Sequence, residues 1–399
     1  MSMTHLRKSV LATLAAACLW TLPVNGQTTG EIKNTFNPIN TAVPALSIAP
    51  DARGGGMGDI GAATTPDVHS QYWNPAKYAF HYSKAGVSLS YTPWLRKIVN
   101  DVALAYVSGF YKLGDNDQQA IGTSLRYFSL GEIAMTEYGG AVYNQVTPYE
   151  MAFDVSYSRK LSESYSMAVA LRYIRSDMGA GVDDDIQAGN AFSADVAGYL
   201  NKYVVLGNSE CLWALGFNIS NIGTKISYDG GTTNQFLPTN LKIGTSLLYP
   251  LDDYNTISFN LDLNKYLVPT VPVYTGSTPE EQAAYQKKLD DYNSLSPISG
   301  IFKSFGDAPG GLSEELKEVM VSVGTEYSYN EQFFVRGGYY YENVNKGNRQ
   351  YFSLGAGFRM SVFQLDAAYL ISTIQSNPLD QTLRFSLSFD MDGLRSLVQ

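Results

Sequence analysis

The chain has 399 residues, a formal net charge of −9 at pH 7, and only 16% charged residues. The acidic balance argues against a general nucleic-acid-binding surface, and no apolar run of about 20 residues follows the N-terminus, which argues against a helical membrane protein. The 29 tyrosines, 18 phenylalanines and 36 glycines are typical of strands with aromatic girdles and glycine-rich bends, and not of a helical bundle or a disordered chain.

Residues 1–26 predict a secretory signal peptide. Two basic residues precede an apolar core over residues 10–22, which is too short for a comfortable membrane span. The small residue Gly26 then precedes Gln27, and cleavage is predicted between the two. We therefore expect an exported protein.

The two cysteines lie on either side of this cleavage site. Cys18 follows three alanines and offers a lipoprotein signal as an alternative, although the leucine expected three residues before it is absent. Cys211 is alone in the mature chain, so it has no partner for an internal disulfide, and no metal-ligand spacing surrounds it. An inert strand cysteine is the predicted role.

Residues 31–84 lack the alternation of strands. Within the glycine-dense stretch 51–62, Gly56, Gly58 and Gly61 formally match the dinucleotide-binding pattern GxGxxG. A proline interrupts the approach and no βαβ pattern follows, so nucleotide binding is not supported. We expect tightly bent backbone packed inside another structure, because glycine permits positive φ angles and close approach.

From residue 85 onward, apolar residues recur with a period of two. Val87, Leu89 and Tyr91 alternate with serine and threonine, for example, which predicts a strand with one apolar and one polar face. Segments of about ten residues have the length needed to cross a bilayer at a tilt. Fourteen are predicted, near 85–92, 101–111, 118–129, 150–160, 165–176, 190–200, 211–219, 239–248, 256–265, 319–329, 331–341, 349–359, 361–371 and 381–389.

The sequence therefore predicts an all-β protein, a transmembrane outer-membrane β-barrel of about 14 antiparallel strands over residues 85–389. The strand number is even, and long and short connections broadly alternate, with 200–210 the least regular. The sheet closes because an open edge is not viable in lipid. Residues 27–84 are expected to form an N-terminal extension and plug, or hatch, inside the barrel, and 390–399 a C-terminal tail. A soluble sandwich or propeller is the alternative, with shorter strands or a blade repeat of about 40 residues.

Charged residues recur on the polar face of these strands. An arginine on the lipid face would cost about 2–4 kcal/mol at the bilayer midplane, so we expect these side chains to point into the lumen and pair. A salt-bridge lattice that stiffens the barrel is the main interpretation, and an ion path is the alternative. The residues are Arg126, Asp154, Arg172, Asp262 and Arg384, together with Asp195, Glu326, Arg336 and Asp366.

Two outer loops are candidates for function. The first contains Trp94, Leu95, Ile98 and Val99, which predict either a docking patch for a partner protein or an aromatic anchor at the lipid interface.

The second is the long loop 266–318. Thr278 is expected to cap a helix with proline at its first position and two glutamates in its first turn. Ser313 begins a second short helix, predicted over 313–320 by a capping-box-like pattern. The first helix is interpreted as a solvated surface helix, with a lid over the mouth as the alternative.

The triplet Asn74-Pro75-Ala76, just before the first strand, resembles the hatch motif of FadL-type outer-membrane proteins. A wider stretch resembles the PorV family of the type IX secretion system. That resemblance is carried by residues 49–53, 73–80, 84–97, 124–131 and 170–177, and it extends to the C-terminus by strand count and by residues 384–394. The predicted plug motif consists of Asp51, Arg53, Gly56, Gly58, Asp59, Asn74, Pro75 and Ala76.

The resemblance implies a non-enzymatic barrel without a cofactor. PorV-like proteins take secreted cargo by its C-terminal β-domain as it leaves a large translocon barrel, and they deliver it to a surface attachment complex with a sortase-like protease. The implied partners are these proteins and outer-membrane lipids, with no nucleic acid. One departure from the general outer-membrane pattern is that ten residues, 390–399, follow the final aromatic, Phe389.

Catalysis has little support in the sequence. After cleavage only His69 and His81 remain, and no HExxH, GxSxG or clustered cysteine and histidine set is present, so neither a metal nor a catalytic site is predicted. The competing function is a FadL-like transporter of hydrophobic small molecules. A transporter needs an apolar pocket and an exit, whereas a shuttle needs a closed lumen and outer loops that hold protein.

Overall fold

The computed structural model describes residues 36–391, apart from 95–98, 100, 115, 137–141, 180–185, 273–277, 310 and 375–378. The predicted signal peptide, its cleavage site, residues 392–399 of the tail, Leu95 and Ile98 lie outside the described residues.

Fourteen of the strands form one closed antiparallel barrel, in which β1 also pairs with β16. This confirms the fold class predicted from the alternation. Two more strands, β4 (Ile133–Thr136) and β5 (Val142–Val146), form a separate hairpin in the loop after β3, which the sequence did not predict. The barrel strands are β1 (Ala85–Pro93), β2 (Val102–Leu113), β3 (Gln119–Leu130), β6 (Tyr149–Lys160), β7 (Tyr165–Asp177), β8 (Gly189–Leu206), β9 (Ser209–Gly223), β10 (Asn240–Pro250), β11 (Asn255–Tyr266), β12 (Met320–Tyr329), β13 (Phe333–Tyr341), β14 (Gln350–Met360), β15 (Phe363–Ser372) and β16 (Leu383–Asp390).

The period of two sorts the side chains between the two faces of the barrel wall. On β1, Ser88 and Ser90 are buried, while Val87, Leu89 and Tyr91 are exposed. The same arrangement along the other strands gives an apolar outer surface and a polar interior, as expected for a barrel that lies in lipid. Closure leaves no strand edge unpaired within the bilayer.

Long and short connections lie at opposite ends. Since short turns of such barrels face the periplasm, we call the short-turn end the inner end and the long-loop end the outer end. The short connections are 114–118, 161–164, 207–208, 251–254, 330–332 and 361–362, whereas the longest outer ones are 131–148, 224–239 and 267–319.

The β8–β9 hairpin is longer than predicted. The sequence suggests an irregular connection over 200–210, whereas β8 continues to Leu206 and a two-residue turn leads into β9. Gly207 stands in this turn with φ +64°, a conformation that glycine adopts freely. The hairpin projects beyond β7, because the register of β7 with β8 ends at Leu200.

Helices are short, and none in the described part of the chain is both long and apolar enough to span a membrane. The predicted helix after Thr278 is confirmed, and the second begins at Leu312 and ends at Lys317, so its predicted bounds are shifted. The helices are α1 (Ala52–Gly55), α2 (Ser70–Trp73), α3 (Pro279–Ser294), α4 (Pro297–Lys303) and α5 (Leu312–Lys317), with 3₁₀ segments at Pro44–Ser47 and Pro75–Phe80.

Residues 37–84, which we call the inner segment, pack against the inward faces of the strands. Helix α1 contacts β14, β15 and β16, whereas the 3₁₀ segment Pro75–Phe80 contacts β3, β6, β7 and β8. Contacts to strands on opposite sides of the barrel place this segment in the lumen. Its apolar side chains, among them Met57, Ile60, Trp73 and Tyr78, are almost fully buried.

Candidate functional site: the filled lumen and the outer rim

Asp51 organises the start of the inner segment. Its carboxylate accepts a hydrogen bond from the backbone N–H of Gly54 at 2.8 Å and so caps α1. The other oxygen accepts from the indole N–H of Trp73 at 2.6 Å. One buried carboxylate therefore joins the glycine-rich turn to α2.

Arg53 ties the inner segment to the barrel wall. Its guanidinium donates to both carboxylate oxygens of Glu326 on β12, at 3.1 and 2.9 Å. It also donates to Asp67 at 2.7 Å and to Thr65. Burial raises the pKa of Asp67, but the positive charges of Lys77 and Arg53 outweigh it and hold that pKa well below its usual range.

Asp59 makes a second link to the wall. It has a positive φ of 60°, pairs with Arg384 of β16 and accepts a hydrogen bond from the hydroxyl of Tyr351 at 2.6 Å. The nearby Gly58 also has positive φ, and its N–H donates to Ser353 at 2.7 Å. The backbone of this bend lies so close to the strands that a side chain on Gly58 would collide with them.

Glycines on both sides permit this approach. A Cβ atom on Gly56 would lie 3.0 Å from the backbone of Gly355, and a Cβ atom on Gly58 would lie 2.9 Å from the backbone of Tyr339. Gly56 and Gly58 of the dinucleotide pattern are therefore explained by packing against the wall, and Gly61 by packing against the ring of Trp73, since glycine leaves room for close contact.

The Asn74-Pro75-Ala76 triplet has a local structural cause. The side-chain oxygen of Asn74 accepts from the N–H of Ala76 at 3.1 Å and caps the 3₁₀ segment, with Pro75 at its first position. The amide nitrogen of Asn74 donates to the carbonyls of Ala62 at 2.9 Å and Gly198 at 3.0 Å. Asparagine thus supplies the cap and a link to β8 with one side chain.

Asp262 on β11 binds the glycine-rich bend from a further strand of the wall. One carboxylate oxygen accepts from the backbone N–H groups of Gly61 at 2.9 Å and Ala62 at 3.0 Å. These bonds satisfy buried backbone donors that have no regular secondary structure to pair them.

His69 spans the seam where the barrel closes. Its two ring nitrogens lie 3.2 Å from the hydroxyl of Ser88 on β1 and 3.0 Å from that of Ser388 on β16. The imidazole therefore links the inner segment to both of the terminal strands. Among the described residues, no group of His, Cys, Asp and Glu side chains is arranged to hold a metal ion.

The predicted lumen charges point inward, but they do not all pair in the same way. Arg172 pairs with Asp154 at 3.1 Å and with Asp195 at 2.8 Å. Arg126 instead donates to backbone carbonyls of the inner segment, including that of Ile48 at 3.0 Å, and lies 4.8 Å from the ring of Tyr72. For Arg126 the expected carboxylate partner is replaced by the inner segment itself.

Two of the four residues predicted in the first outer loop, Trp94 and Val99, lie among the described residues. Trp94 and Val99 are half-buried and pack against a cluster that contains Leu104 and Phe128. The rings of Trp94 and Phe128 meet edge to face at 6.4 Å. These two candidate partner-binding residues therefore pack against side chains of β2 and β3, and neither is fully exposed.

The long loop 266–318 carries the exposed apolar surface. Helix α3 is capped by Thr278 as predicted, and the cap is a full capping box, in which Thr278 and Glu281 exchange side-chain and backbone hydrogen bonds; none of the residues of this helix is buried. Exposed apolar side chains come instead from α4, α5 and their connection. These rim residues are Ile298, Phe302, Phe305, Leu312 and Leu316, with Phe302 74% and Leu312 76% exposed.

The sequence reasoning missed these rim residues. Their signal is visible as apolar pairs at a spacing of four, Ile298 with Phe302 and Leu312 with Leu316, which lie on one face of a helix. It also missed Asp67 and Lys77, which balance charge inside the lumen, because no local pattern marks them.

An ion network fixes α5 to the rim of the barrel. Lys265 at the end of β11 pairs with Glu315 at 3.0 Å and with Glu318. Lys346, in the loop after β13, pairs with Glu314 at 2.6 Å and with Glu318 at 3.1 Å. The helix is therefore held by its acidic side chains, while Leu312 and Leu316 remain exposed.

Comparison with known families identifies the chain. Residues 31–273, more than half of its length, match the family model of the type IX secretion system protein PorV. The chain belongs to the PorV family. It is thus an outer-membrane component of the type IX secretion system, and the PorV resemblance predicted from the sequence is confirmed.

No curated protein matches the chain. Solved structures with a similar arrangement include the toluene transporter TodX of Pseudomonas putida, with 11% identity, a TM-score of 0.47 and coverage of 84% of this chain and 96% of that chain. The toluene transporter TbuX of Ralstonia pickettii has 12% identity, a TM-score of 0.43 and coverage of 86% and 96%. A FadL homologue of Pseudomonas aeruginosa has 12% identity, a TM-score of 0.42 and coverage of 89% and 99%.

Proposed function

We propose that this PorV-family barrel binds secreted proteins at its outer rim and does not conduct them through its lumen. It takes cargo by the C-terminal β-domain as the cargo leaves a large translocon barrel. It then delivers the cargo to the surface attachment complex with its sortase-like protease. This role is non-enzymatic and uses no cofactor.

The observation that carries this proposal is the way the inner segment occupies the lumen. Arg53, Asp59 and Asn74 bind β12, β16 and β8, respectively, and Asp262 binds the segment from β11. A segment tied to strands around the ring acts as a plug, because displacing it breaks several buried charge-assisted bonds at once. Since the lumen is closed, the outer loops are the surface that remains for binding a protein partner.

The rim residues supply the surface for such binding. Large apolar side chains that remain exposed on a folded loop often mark a partner site. Phe302 and Phe305 suit the centre of an interface, since aromatic residues are enriched there. The ion network beneath α5 holds Leu312 and Leu316 in place, which lowers the entropic cost of binding at these two residues.

A FadL-like transporter of hydrophobic small molecules is the second candidate, and a cavity of about 270 Å³ at the inner end favours it. Pockets for drug-sized ligands usually have about 300–1,000 Å³. The cavity is also lined by Arg53, Asp67 and Glu326, the ion cluster that anchors the inner segment. The cavity is thus part of the anchor of the inner segment, and the shuttle explains this anchor better than the transporter does.

Site-specific photocrosslinking in cells tests the proposal. A photoreactive residue at Phe302 should crosslink to cargo C-terminal domains. The same residue at Tyr203, which is also exposed but lies at the inner end, should not. Crosslinks to cargo from neither position, or from Tyr203 alone, would refute binding at the outer rim.

A further inference from the structure

Residues 37–42, which we call the arm, form the first part of the inner segment and lie at the outer mouth of the barrel. The backbone N–H of Asn37 donates to the carbonyl of Asn345, in the loop after β13, at 2.9 Å. The backbone N–H of Ala42 donates to the carbonyl of Phe236, in the loop after β9, at 2.9 Å. The arm therefore bridges two outer loops that belong to different parts of the ring of strands.

The arm is held more weakly than the part of the inner segment that follows it. Among the described residues, these two backbone bonds are its only hydrogen bonds to the rest of the chain, and Ala42 is its only buried residue. From Ala45 onward charged groups take part: the N–H of Ala45 donates to the carboxylate of Glu150 at 2.8 Å, and Arg126 donates to the carbonyl of Ile48 at 3.0 Å. Hydrogen bonds to charged groups are about twice as strong as those between neutral groups. The arm can consequently leave the mouth while the plug stays in place.

The junction between the arm and the anchored part is strained. Val43 has φ 51° and ψ 60°, in the left-handed region, which a β-branched residue rarely adopts. The next residue is Pro44, and a residue before proline favours ψ of about 120–160°. Such strain persists only where the surrounding contacts hold the residue, and Val43 is 1% exposed within an apolar cluster that includes Leu46 and Ile174. Detachment of the arm would let Val43 relax to an extended conformation.

At one end, the arm is joined to α5. Asn345 is followed in the chain by Lys346, whose ammonium pairs with two glutamates at α5, at 2.6 and 3.1 Å. The rim residues Leu312 and Leu316 lie on this helix and are exposed. Movement of α5 away from the barrel therefore pulls on the loop that accepts the hydrogen bond of Asn37.

At the other end, the arm is joined to α3 and α4. The ring of Phe236 meets the ring of Tyr292 on α3 edge to face at 5.6 Å. A Cβ atom on Gly300 of α4 would lie only 2.9 Å from the Phe236 ring, so this helix packs closely against the same loop. Helix α4 carries the rim residues Ile298 and Phe302. The arm thus connects the two loops against which α4 and α5 are held.

We propose that the arm is a latch that keeps the rim closed and detaches, by rotation at Val43, when the rim opens to hold a cargo β-domain between α4 and α5. This inference rests on the function proposed above. The arm has a contact at each end, hydrogen bonds that water can replace, and a strained hinge that relaxes on opening. The opening is confined to the outer end, because the buried bonds of Asp51 and Arg53 keep the plug in the lumen.

A reversible disulfide tests the latch in the full-length barrel, purified in detergent. Asn37→Cys together with Asn345→Cys places two thiols at the bonded pair, and oxidation fixes the arm to the loop. Capture of a purified cargo C-terminal domain should fall at least tenfold on oxidation and recover on reduction. The single variant Asn345→Cys is the matched control, and its capture should not change on oxidation.

The outcomes separate the latch from the proposed function. Loss of thiol labelling verifies the bridge, and heat-modifiable migration on electrophoresis gels verifies that each variant is folded. Equal capture by the bridged and the reduced double variant would overturn the latch and leave the proposed function intact. Failure of the wild-type barrel to bind the domain would refute the proposed function and this inference with it.

Hydrogen exchange of the wild-type barrel gives a second measurement that needs no substitution. Binding of the cargo domain should accelerate exchange of the amides of Asn37 and Ala42 at least tenfold, because their bonds to the loops are broken. Exchange of the amides of residues 51–67 should not change. Unchanged or slower exchange at Asn37 and Ala42 in the complex would overturn the latch, whatever the fate of the double variant.

Discussion

Arg53 of the inner segment and Glu326 of β12 form a two-point ion pair within the barrel, with nitrogen–oxygen distances of 3.1 and 2.9 Å. The pair is almost fully buried, and Arg53 forms a further ion pair with Asp67, which lies fourteen residues later in the inner segment. A single guanidinium therefore joins two parts of the inner segment to the wall.

Replacing Arg53 with methionine should release the inner segment. Breaking a buried ion pair by removing one partner usually costs about 3–5 kcal/mol, because the other charge is left uncompensated. Hydrogen exchange of residues 51–67 should accelerate strongly while exchange of the strands changes little. Lys84→Met removes an ion pair with Asp117 that is partly exposed, and it serves as the control with a small effect. Equal protection in the two variants would show that Arg53 is not an anchor.

Adjacent glycines on β13 provide a matched test of close packing. A Cβ atom on Gly338 would lie 2.0 Å from the backbone of Met57, whereas a Cβ atom on Gly337 would meet no atom within 4 Å. Gly338→Ala should therefore displace the glycine-rich bend and cost about 1–3 kcal/mol, as overpacking does. Gly337→Ala should be close to neutral. The free energies of unfolding in urea distinguish the two, and similar values would contradict the packing described for Met57.

Lys77 predicts a rise of stability with pH. This lysine is fully buried, donates to Thr64 at 3.0 Å, and burial lowers its pKa to about 8. In the unfolded chain the pKa is about 10.4, so below pH 8 both states are charged and the folded state carries the full cost of the buried charge. Between about pH 8 and 10 the folded state loses its proton first, and the free energy of unfolding rises.

Unfolding measured from pH 7 to 10 checks this prediction. The wild-type protein should gain stability over that range relative to Lys77→Met, whose own profile lacks the contribution of this group. An exposed lysine, Lys202, gives the control variant Lys202→Met, which should follow the wild type. A Lys77→Met profile parallel to that of the wild type would contradict the assigned pKa.

The rim residues predict a loss of partner binding without loss of folding. Phe302→Ser and Leu316→Ser together should reduce capture of cargo C-terminal domains at least tenfold, since exposed apolar anchors at an interface often contribute about 2 kcal/mol each. Barrel assembly should be unaffected, because both side chains are exposed. Pull-down of a purified cargo domain by detergent-solubilised barrels provides the measurement. The control is Leu161→Ser in the inner turn between β6 and β7, and equal capture by the three proteins would refute this surface.

The barrel was predictable from sequence because the alternation of apolar and polar residues indicates which face of each strand contacts lipid. Val87, Leu89 and Tyr91 show this on β1, and the predicted segments match all fourteen barrel strands to within a few residues, apart from the longer β8 and β9. The end of β8 was missed because Val204, Val205 and Leu206 are consecutive apolar residues in the part of the hairpin that projects beyond β7, where the period of two no longer applies.

The interior was less predictable, because its contacts join residues far apart in the chain. Asp262 was predicted to face the lumen, yet its partners, the N–H groups of Gly61 and Ala62, lie 200 residues away or more. Arg126 donates to a backbone carbonyl, although a carboxylate partner was expected. Every residue has a backbone carbonyl, so the sequence does not indicate which one accepts this bond. The rim residues required knowledge of which face of α5 the ion network covers and of which side chains of α4 stay exposed.

The most direct test of the central claim is purification of the tagged protein from crosslinked outer membranes, followed by mass spectrometry. Cargo C-terminal domains together with a very large translocon barrel are predicted to copurify. Their absence, with a fatty acid or another apolar molecule bound in the lumen instead, would contradict the shuttle and support the transporter.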